Sequence, residues 1–169
     1  MIRLAIIGMA FAVWPKVAFG HDISNSTVVL SVEPGAIGAQ LALPLSELEP
    51  ALRQNLSSIT EIMAARLVLD AYLRSHVALG APADKPWPMT VTRMSVGVGE
   101  HTSLEVTLRF AAPSGKLPTR LRLEYDVITR EITGHYVLVF IRESPTLRPV
   151  GRLQSPARNL IFEITAPRN

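Results

Sequence analysis

The chain contains no cysteine among its 169 residues. This absence excludes disulfide bonds and a cysteine nucleophile, so the fold must be stabilised largely by apolar burial and hydrogen bonding. Charged residues are also sparse, at 18% of the chain, and lysine and arginine are scattered with no two adjacent. A nucleic-acid-binding surface needs clustered basic side chains. We therefore do not expect nucleic acid as a partner.

Recognised catalytic motifs are missing as well. The sequence has no Gly-x-Ser-x-Gly elbow, no glycine-rich phosphate loop between a strand and a helix, and no His-Glu-x-x-His helix. Glu47 and Glu49 fall on different sides of a predicted helix, which makes them poor acid–base partners, and we expect both to be solvated surface charges. The sequence thus predicts a protein that is not an enzyme, and it identifies no small-molecule substrate.

Long apolar runs are scarce, and the one at residues 4–14 lies at the amino terminus. Arg3 precedes it, and Ala18-Phe19-Gly20 follows as a small-x-small cleavage site. This three-part pattern predicts a secretory signal peptide over residues 1–20, a mature chain that begins at His21, and a periplasmic or otherwise exported location. The alternative is an uncleaved membrane anchor, although the run is shorter than the roughly 20 residues of a spanning helix.

The remainder is predicted to form a single β-sandwich domain over residues 21–165, with a frayed tail at 166–169. Short alternating segments with turn residues between them favour an antiparallel Ig-like β-sandwich. The first two segments are joined by Glu33-Pro34-Gly35 and are typical of a β-hairpin. Strands are expected near residues 27–32, 36–43, 90–98, 103–110, 121–127, 135–141, 150–153 and 160–164.

A helical insertion at about 45–77 interrupts this pattern. Leucines at three- and four-residue spacing after Pro44 indicate a short first helix. Ser58 and Glu61 then form a capping-box pattern that predicts the start of a second helix over about 59–77. Its expected buried face consists of Ile62, Ala65, Leu69, Tyr72 and Leu73. We expect Gly80 and Pro82 to end it.

Four histidines are candidates for chemistry. A mature His21 would combine an imidazole with a free α-amine and could chelate copper, or it could be flexible and solvated. His76 closes the predicted helix, where a cation is favoured by the helix dipole. His135 opens the most apolar strand and is expected to be buried and bonded to a carbonyl, and His101 is expected at the surface. Trp87, between two prolines, could bind a ligand or plug one end of the sandwich.

Several segments, taken in order, resemble the extracytoplasmic domain of HupE/UreJ-like membrane proteins, a family named after hydrogenase and urease accessory proteins. The resemblance covers roughly residues 21–155. The segments that carry it are His21-Asp22-Ile23-x-Asn25-Ser26-x-Val28, Leu43-Pro44-Leu45-Ser46-Glu47-Leu48, Tyr72-Leu73-x-x-His76, Pro86-Trp87, Leu123-x-Tyr125-Asp126 and His135-x-x-Leu138-Val139. The family's membrane histidine motif does not occur in this sequence, so permease activity is not carried over.

The resemblance implies an exported, non-enzymatic domain that interacts with an integral membrane protein. It also implies a divalent metal, copper, zinc or nickel, with His21, His76 and His135 as ligands. One alternative is a free-standing periplasmic copper- or zinc-binding protein that uses the mature amino-terminal histidine. Another is an enzyme with a copper histidine brace, which requires a second histidine beside His21.

Overall fold

The chain folds mainly into β-strands, with helices inserted after the second strand. A computed structural model describes residues 25–98, 101–143 and 145–165. The predicted signal peptide, His21 and the predicted tail at 166–169 lie outside these described residues. The strands are β1 (Ser26–Glu33), β2 (Ala36–Pro44), β3 (Val77–Gly80), β4 (Met89–Val98), β5 (Thr102–Ala111), β6 (Arg120–Tyr125), β7 (Tyr136–Glu143), β8 (Thr146–Gln154) and β9 (Asn159–Glu163). The helices are α1 (Leu45–Leu52), α2 (Ile59–Ala64) and α3 (Arg66–His76).

The strands form two sheets in a sandwich-like arrangement. A six-stranded sheet has the order β4-β5-β2-β1-β7-β8, and a three-stranded sheet has the order β3-β6-β9. Apolar side chains from both sheets and from the three helices make up one hydrophobic core. The predicted mainly β fold with a helical insertion is therefore confirmed.

The predicted first hairpin is present, but the sheet around it is not purely antiparallel. β1 and β2 pair antiparallel with Val28 opposite Leu41, and Gly35 in the turn has a φ of 65°, which glycine adopts without steric cost. On its other edge β1 pairs with β7 in parallel, with Val28 opposite Val139. More than a hundred residues separate these two strands, so no local turn chemistry could have specified their relative direction.

The helical insertion spans the predicted residues, but its second predicted helix is divided into two. At Ser58 the side chain accepts from the backbone N–H of Glu61, and the Glu61 carboxylate accepts from the N–H of Ser58, so the predicted capping box is confirmed. The helical hydrogen-bonding pattern is interrupted at Ala65, which separates α2 from α3.

The second helix ends within one residue of its predicted end at about 77, before Gly80 and Pro82, but the strand that follows it was not predicted. α3 ends at His76, and Val77–Gly80 forms β3, which pairs antiparallel with β6. Val77 and Leu79 fit the apolar pattern of either a helix or a short buried strand, and pairing with β6 decides between the two. The predicted buried helix face is otherwise confirmed, since Ile62, Ala65, Leu69 and Leu73 all lie in the core.

Candidate functional site

The outward side of α2 and α3 is apolar and exposed. Of the six large hydrophobic side chains exposed in the described part of the chain, four lie within residues 59–68. They are Ile59 (67% exposed), Met63 (56%), Leu67 (84%) and Val68 (46%). We call these four residues the α2–α3 face. The opposite side of the same helices packs into the core, so the segment is apolar on both sides, whereas a surface helix normally has one polar side.

Few charges accompany the α2–α3 face. Arg66 is exposed and forms no ion pair within the described residues. The carboxylate of Glu61 accepts from Asn55, Ser57 and Ser58, and the bonds from Ser57 and Ser58 lower its pKa. Asp70 pairs with Arg74 at 2.7 Å. Both acids of α2 and α3 thus have partners within the described helical insertion, and their negative charges balance those of Arg66 and Arg74.

A second notable group consists of three side chains joined by buried hydrogen bonds, those of Ser26, His135 and Glu47. Ser26 begins β1, Glu47 lies on α1, and His135 immediately precedes β7. The His135 Nδ1 bonds to the Glu47 carboxylate, and the Ser26 Oγ lies 2.8 Å from the His135 Nε2. Because a carboxylate only accepts, Nδ1 carries a proton, and in the neutral imidazole Nε2 accepts from the Ser26 hydroxyl.

The connectivity of this group is that of a serine–histidine–acid triad, but its burial is not that of an active site. Ser26 is 0% exposed and His135 is 1% exposed, so a substrate has no access to the hydroxyl in this fold. What the arrangement does is join α1 to the starts of β1 and β7 through side chains alone. We call it the Ser26–His135–Glu47 interlock.

Two predictions on these residues need correction. Glu47 is not a solvated surface charge, because its side chain is only 17% exposed and pairs with His135. His135 is buried as predicted, but its ring bonds a hydroxyl and a carboxylate instead of a carbonyl. Glu49, the other predicted surface acid, accepts from the backbone N–H of Leu56 at 2.7 Å. Both acids therefore form hydrogen bonds that fix the position of the helical insertion.

His76 belongs to a separate polar group at the end of α3. Its Nδ1 donates to Asp126 Oδ1 at 2.6 Å, and Arg158 donates to the other oxygen of Asp126 at 3.3 Å. The backbone N–H of Asp126 donates to the His76 carbonyl at 3.0 Å, which satisfies a carbonyl at the helix end. His76 thus has the structural role at the helix carboxyl end that its position predicts.

One ring nitrogen of His76 stays open. Among the described residues Nε2 has no hydrogen-bond partner, and His76 lines a cavity of about 230 Å³ together with Arg74, Glu124, Asp126 and Arg158. A carboxylate on Nδ1 is how proteins commonly orient a histidine whose Nε2 binds a metal. The described residues nevertheless contain no group of three or more His, Asp or Glu side chains placed to hold a metal ion.

The loop between β6 and β7 has a strained backbone and connects the His76–Asp126 pair to the Ser26–His135–Glu47 interlock. Ile128 has a φ of 64°, in the left-handed region that β-branched residues rarely adopt. Its backbone N–H donates to the Tyr72 hydroxyl at 2.9 Å, and that hydroxyl donates to Glu131 at 2.9 Å. Tyr72 therefore ties α3 to the loop that carries Asp126 at one end and His135 at the other.

Two tyrosines near the loop between β6 and β7, Tyr72 and Tyr125, have hydroxyl groups that are desolvated by burial. Burial raises the pKa of Tyr125 far above its usual value near 10, and proximity to Ser26 offsets only part of that rise. Burial likewise raises the pKa of Tyr72. The Tyr125 hydroxyl forms no hydrogen bond of acceptable geometry, with Ser26 or any other group in the described part of the chain.

We expect these tyrosines to make the fold sensitive to alkali. Above about pH 10 the unfolded chain ionises tyrosines that the folded chain keeps protonated, so unfolding releases protons and stability falls as the pH rises. Below that pH they contribute no pH dependence. Tyrosinate absorbance near 295 nm, recorded with circular dichroism, should show Tyr72 and Tyr125 ionising together with unfolding.

The matched variant for that titration is Tyr125→Phe. It should remove one tyrosine from the absorbance step that accompanies unfolding, without lowering stability at pH 7, because the hydroxyl it deletes has no hydrogen-bond partner among the described residues. Ionisation of both tyrosines before any loss of structure would contradict the prediction.

The predicted metal ligands are not gathered in one place by the described residues. His76 and His135 pair with different carboxylates, Asp126 and Glu47, while His21 lies outside the part of the chain that the structure describes. The metal site therefore stays a prediction. His101 is exposed, which confirms its predicted surface position. Trp87 is buried in the core at 6% exposure, which favours the packing alternative over ligand binding.

The α2–α3 face and the interlock were both missed from sequence. Met63 and Leu67 repeat at four-residue spacing from Ile59, a signal that was available but that resembles a buried stripe. Ser26 and Glu47 carried no such signal, because their common partner is 109 and 88 residues away.

Comparisons with known proteins leave the chain without an assigned family. No protein-family model matches it, and no curated protein matches it significantly. Within residues 25–98, 101–143 and 145–165, no helix is both long enough and apolar enough to cross a membrane.

Proposed function

We propose that this chain is an exported, non-enzymatic domain of a HupE/UreJ-like system that docks on an integral membrane protein. The observation that carries the proposal is the α2–α3 face, where Leu67 is 84% exposed at the centre of an apolar surface. Contiguous exposed apolar surface of this kind typically marks a protein or membrane interaction site. The burial of Ser26 supports the non-enzymatic part, because the Ser26–His135–Glu47 interlock has triad connectivity but is closed to substrate.

The test is binding of the purified exported protein to a HupE/UreJ-like membrane protein of the same organism, held in nanodiscs. Wild-type protein should bind, and Leu67→Asp should weaken binding at least about tenfold, because it places a charge at the centre of the apolar contact. Ile161→Asp is the matched control, since Ile161 is also an exposed apolar residue, at 51%, but lies on β9 and not on the α2–α3 face. Equal binding by the two variants, or no binding by wild type, would refute the proposal.

A divalent metal, copper, zinc or nickel, remains part of the proposal through His21 and His76. His135 is the least suitable of the three predicted ligands because both its ring nitrogens already have partners. Calorimetric titration of the exported protein should show binding tighter than about 10 μM. It should weaken in His21→Ala and His76→Ala, and weaker binding in the wild type would remove metal from the proposal.

A further inference from the structure

We infer that the outer edge of β4 pairs with the same strand of a second copy of this chain, so that the protein forms a dimer with two-fold symmetry. The inference is independent of the proposed function, because it uses none of the residues of the α2–α3 face. The second copy is the occupant because residues 93–97 of β4 are complementary to themselves when two copies run antiparallel.

β4 is a ten-residue strand with a neighbouring strand on one side only, β5. The edge strand on the other side of the same sheet, β8, contains Pro149, and Arg148 on it donates to the Glu163 carbonyl of β9. In the smaller sheet β3 has only four residues, and its Leu79 carbonyl accepts from Trp87. An edge without such features presents backbone N–H and C=O groups that can pair with another strand.

The regular part of the β4 edge consists of residues 93–98. Thr92 is the extra residue of a bulge, and beyond it the pairing with β5 runs without interruption to the end of the strand. Before the bulge, Arg74 donates to the Met89 carbonyl at 2.8 Å and so covers the start of the strand. Pairing with a further strand is therefore expected after the bulge.

The backbone groups of this segment point alternately towards β5 and away from it. The Ala111 N–H donates to the Pro88 carbonyl at 3.1 Å, and alternation along the antiparallel ladder from that bond directs the odd-numbered residues of β5 to β4. Ser95 is therefore bonded to β5. Met94 and Val96 direct their N–H and C=O groups to the outer side.

A two-fold axis at Ser95 satisfies these outward groups with the same segment of a second copy. Ser95 then lies opposite Ser95 of the other copy, and Met94 lies opposite Val96, so that outward N–H and C=O groups face one another. The Met94 and Val96 side chains are partly buried against the core. Pairing across the axis covers more of their apolar surface.

Charge complementarity favours the same register. Arg93 and Glu105 are exposed, and neither forms an ion pair within the described residues. The Glu105 carboxylate lies so close to Gly97 that a side chain there would displace it. With the axis at Ser95, Arg93 lies opposite Gly97 of the second copy and faces the carboxylate above it. The dimer therefore gains two equivalent ion pairs.

Sedimentation equilibrium of the exported protein over about 5–500 μM should show a monomer–dimer equilibrium with a dissociation constant in the micromolar range, because the shared segment is short. Arg93→Glu should weaken the dimer about tenfold, since it places two carboxylates together on each side of the axis. Adding Glu105→Arg should restore the dissociation constant to within about threefold. Arg109→Glu, the same change on the same face of β5 but away from the edge, should have no effect.

Cross-linking tests the register, because the chain contains no cysteine of its own. Under mild oxidation Ser95→Cys should form a disulfide-linked dimer at least about tenfold faster than Thr90→Cys, an exposed position on the same strand. Opposite residues that do not share hydrogen bonds have Cα atoms about 4.5 Å apart, within reach of a disulfide. The two copies of residue 90 would be separated by about 30 Å along the strands.

Three results would overturn the inference. They are a monomer at every concentration, equal cross-linking at positions 90 and 95, and a double variant that dimerises no better than Arg93→Glu alone. A dimer that is lost in Leu67→Asp but kept in Arg93→Glu would also overturn it, because that dimer would form through the α2–α3 face. The charge changes are at exposed positions, so thermal unfolding of the monomers should match that of the wild type.

Discussion

Replacing Leu69 with alanine is expected to destabilise the protein by about 2–5 kcal/mol, whereas the same change at Leu67 should leave stability within about 0.5 kcal/mol. The two leucines are two residues apart on α3, but Leu69 is 0% exposed and Leu67 is 84% exposed. Truncating Leu69 removes apolar contacts and leaves a cavity in the core. Truncating Leu67 removes a side chain that contacts mainly water.

Urea unfolding followed by circular dichroism measures both variants, and an unchanged m-value would confirm that only stability differs. The contrast tests the orientation of α3 directly. A large loss of stability at Leu67 would mean that the α2–α3 face is covered by another part of the same chain. In that event the docking proposal could not stand on this surface.

The second large loss of stability is expected when His135 is replaced. Replacing it with alanine should cost about 3 kcal/mol or more, because the Ser26 hydroxyl loses its acceptor inside the protein and Glu47 loses its imidazole partner. Ser26→Ala deletes only one hydrogen bond, so its cost should be about 1 kcal/mol. The order of the two effects follows from how many groups each change leaves without their partner.

His101→Ala is the control, because that histidine is exposed, and it should change stability by less than about 0.5 kcal/mol. All three variants can be measured by urea unfolding at pH 7. A cost at His135 no larger than that at Ser26 would show that Glu47 is not stabilised through the imidazole.

Local patterns predicted much of the architecture. The alternation in residues 36–43 and the turn at Gly35 produced a correct hairpin, and Ser58 with Glu61 marked the start of α2. These signals depend on contacts within a few residues along the chain, so they can be recognised without knowledge of the fold. The strand at Val77–Gly80 was not predicted, because it forms through pairing with β6, which is distant in sequence.

The hydrogen-bond partners of His76 and His135 also could not be predicted from local sequence patterns. The sequence indicates that His76 ends a helix and that His135 enters a buried strand, and both positions are correct. The carboxylate each one binds could not be chosen from sequence, because Asp126 is 50 residues from His76 and Glu47 is 88 residues from His135. The predicted surface role of Glu47 failed for this reason.

By itself, the sequence determined which segments alternate, which helix start is capped and which residues can form a core. Only the tertiary structure decided that β1 and β7 run in parallel, that Ser26 and Glu47 meet at His135, and that Leu67 points outward while Leu69 points inward. The physical reason is that periodicity identifies apolar residues, whereas burial depends on which surfaces the remainder of the chain covers. α2 and α3 are apolar on two sides, and the fold covers one of them.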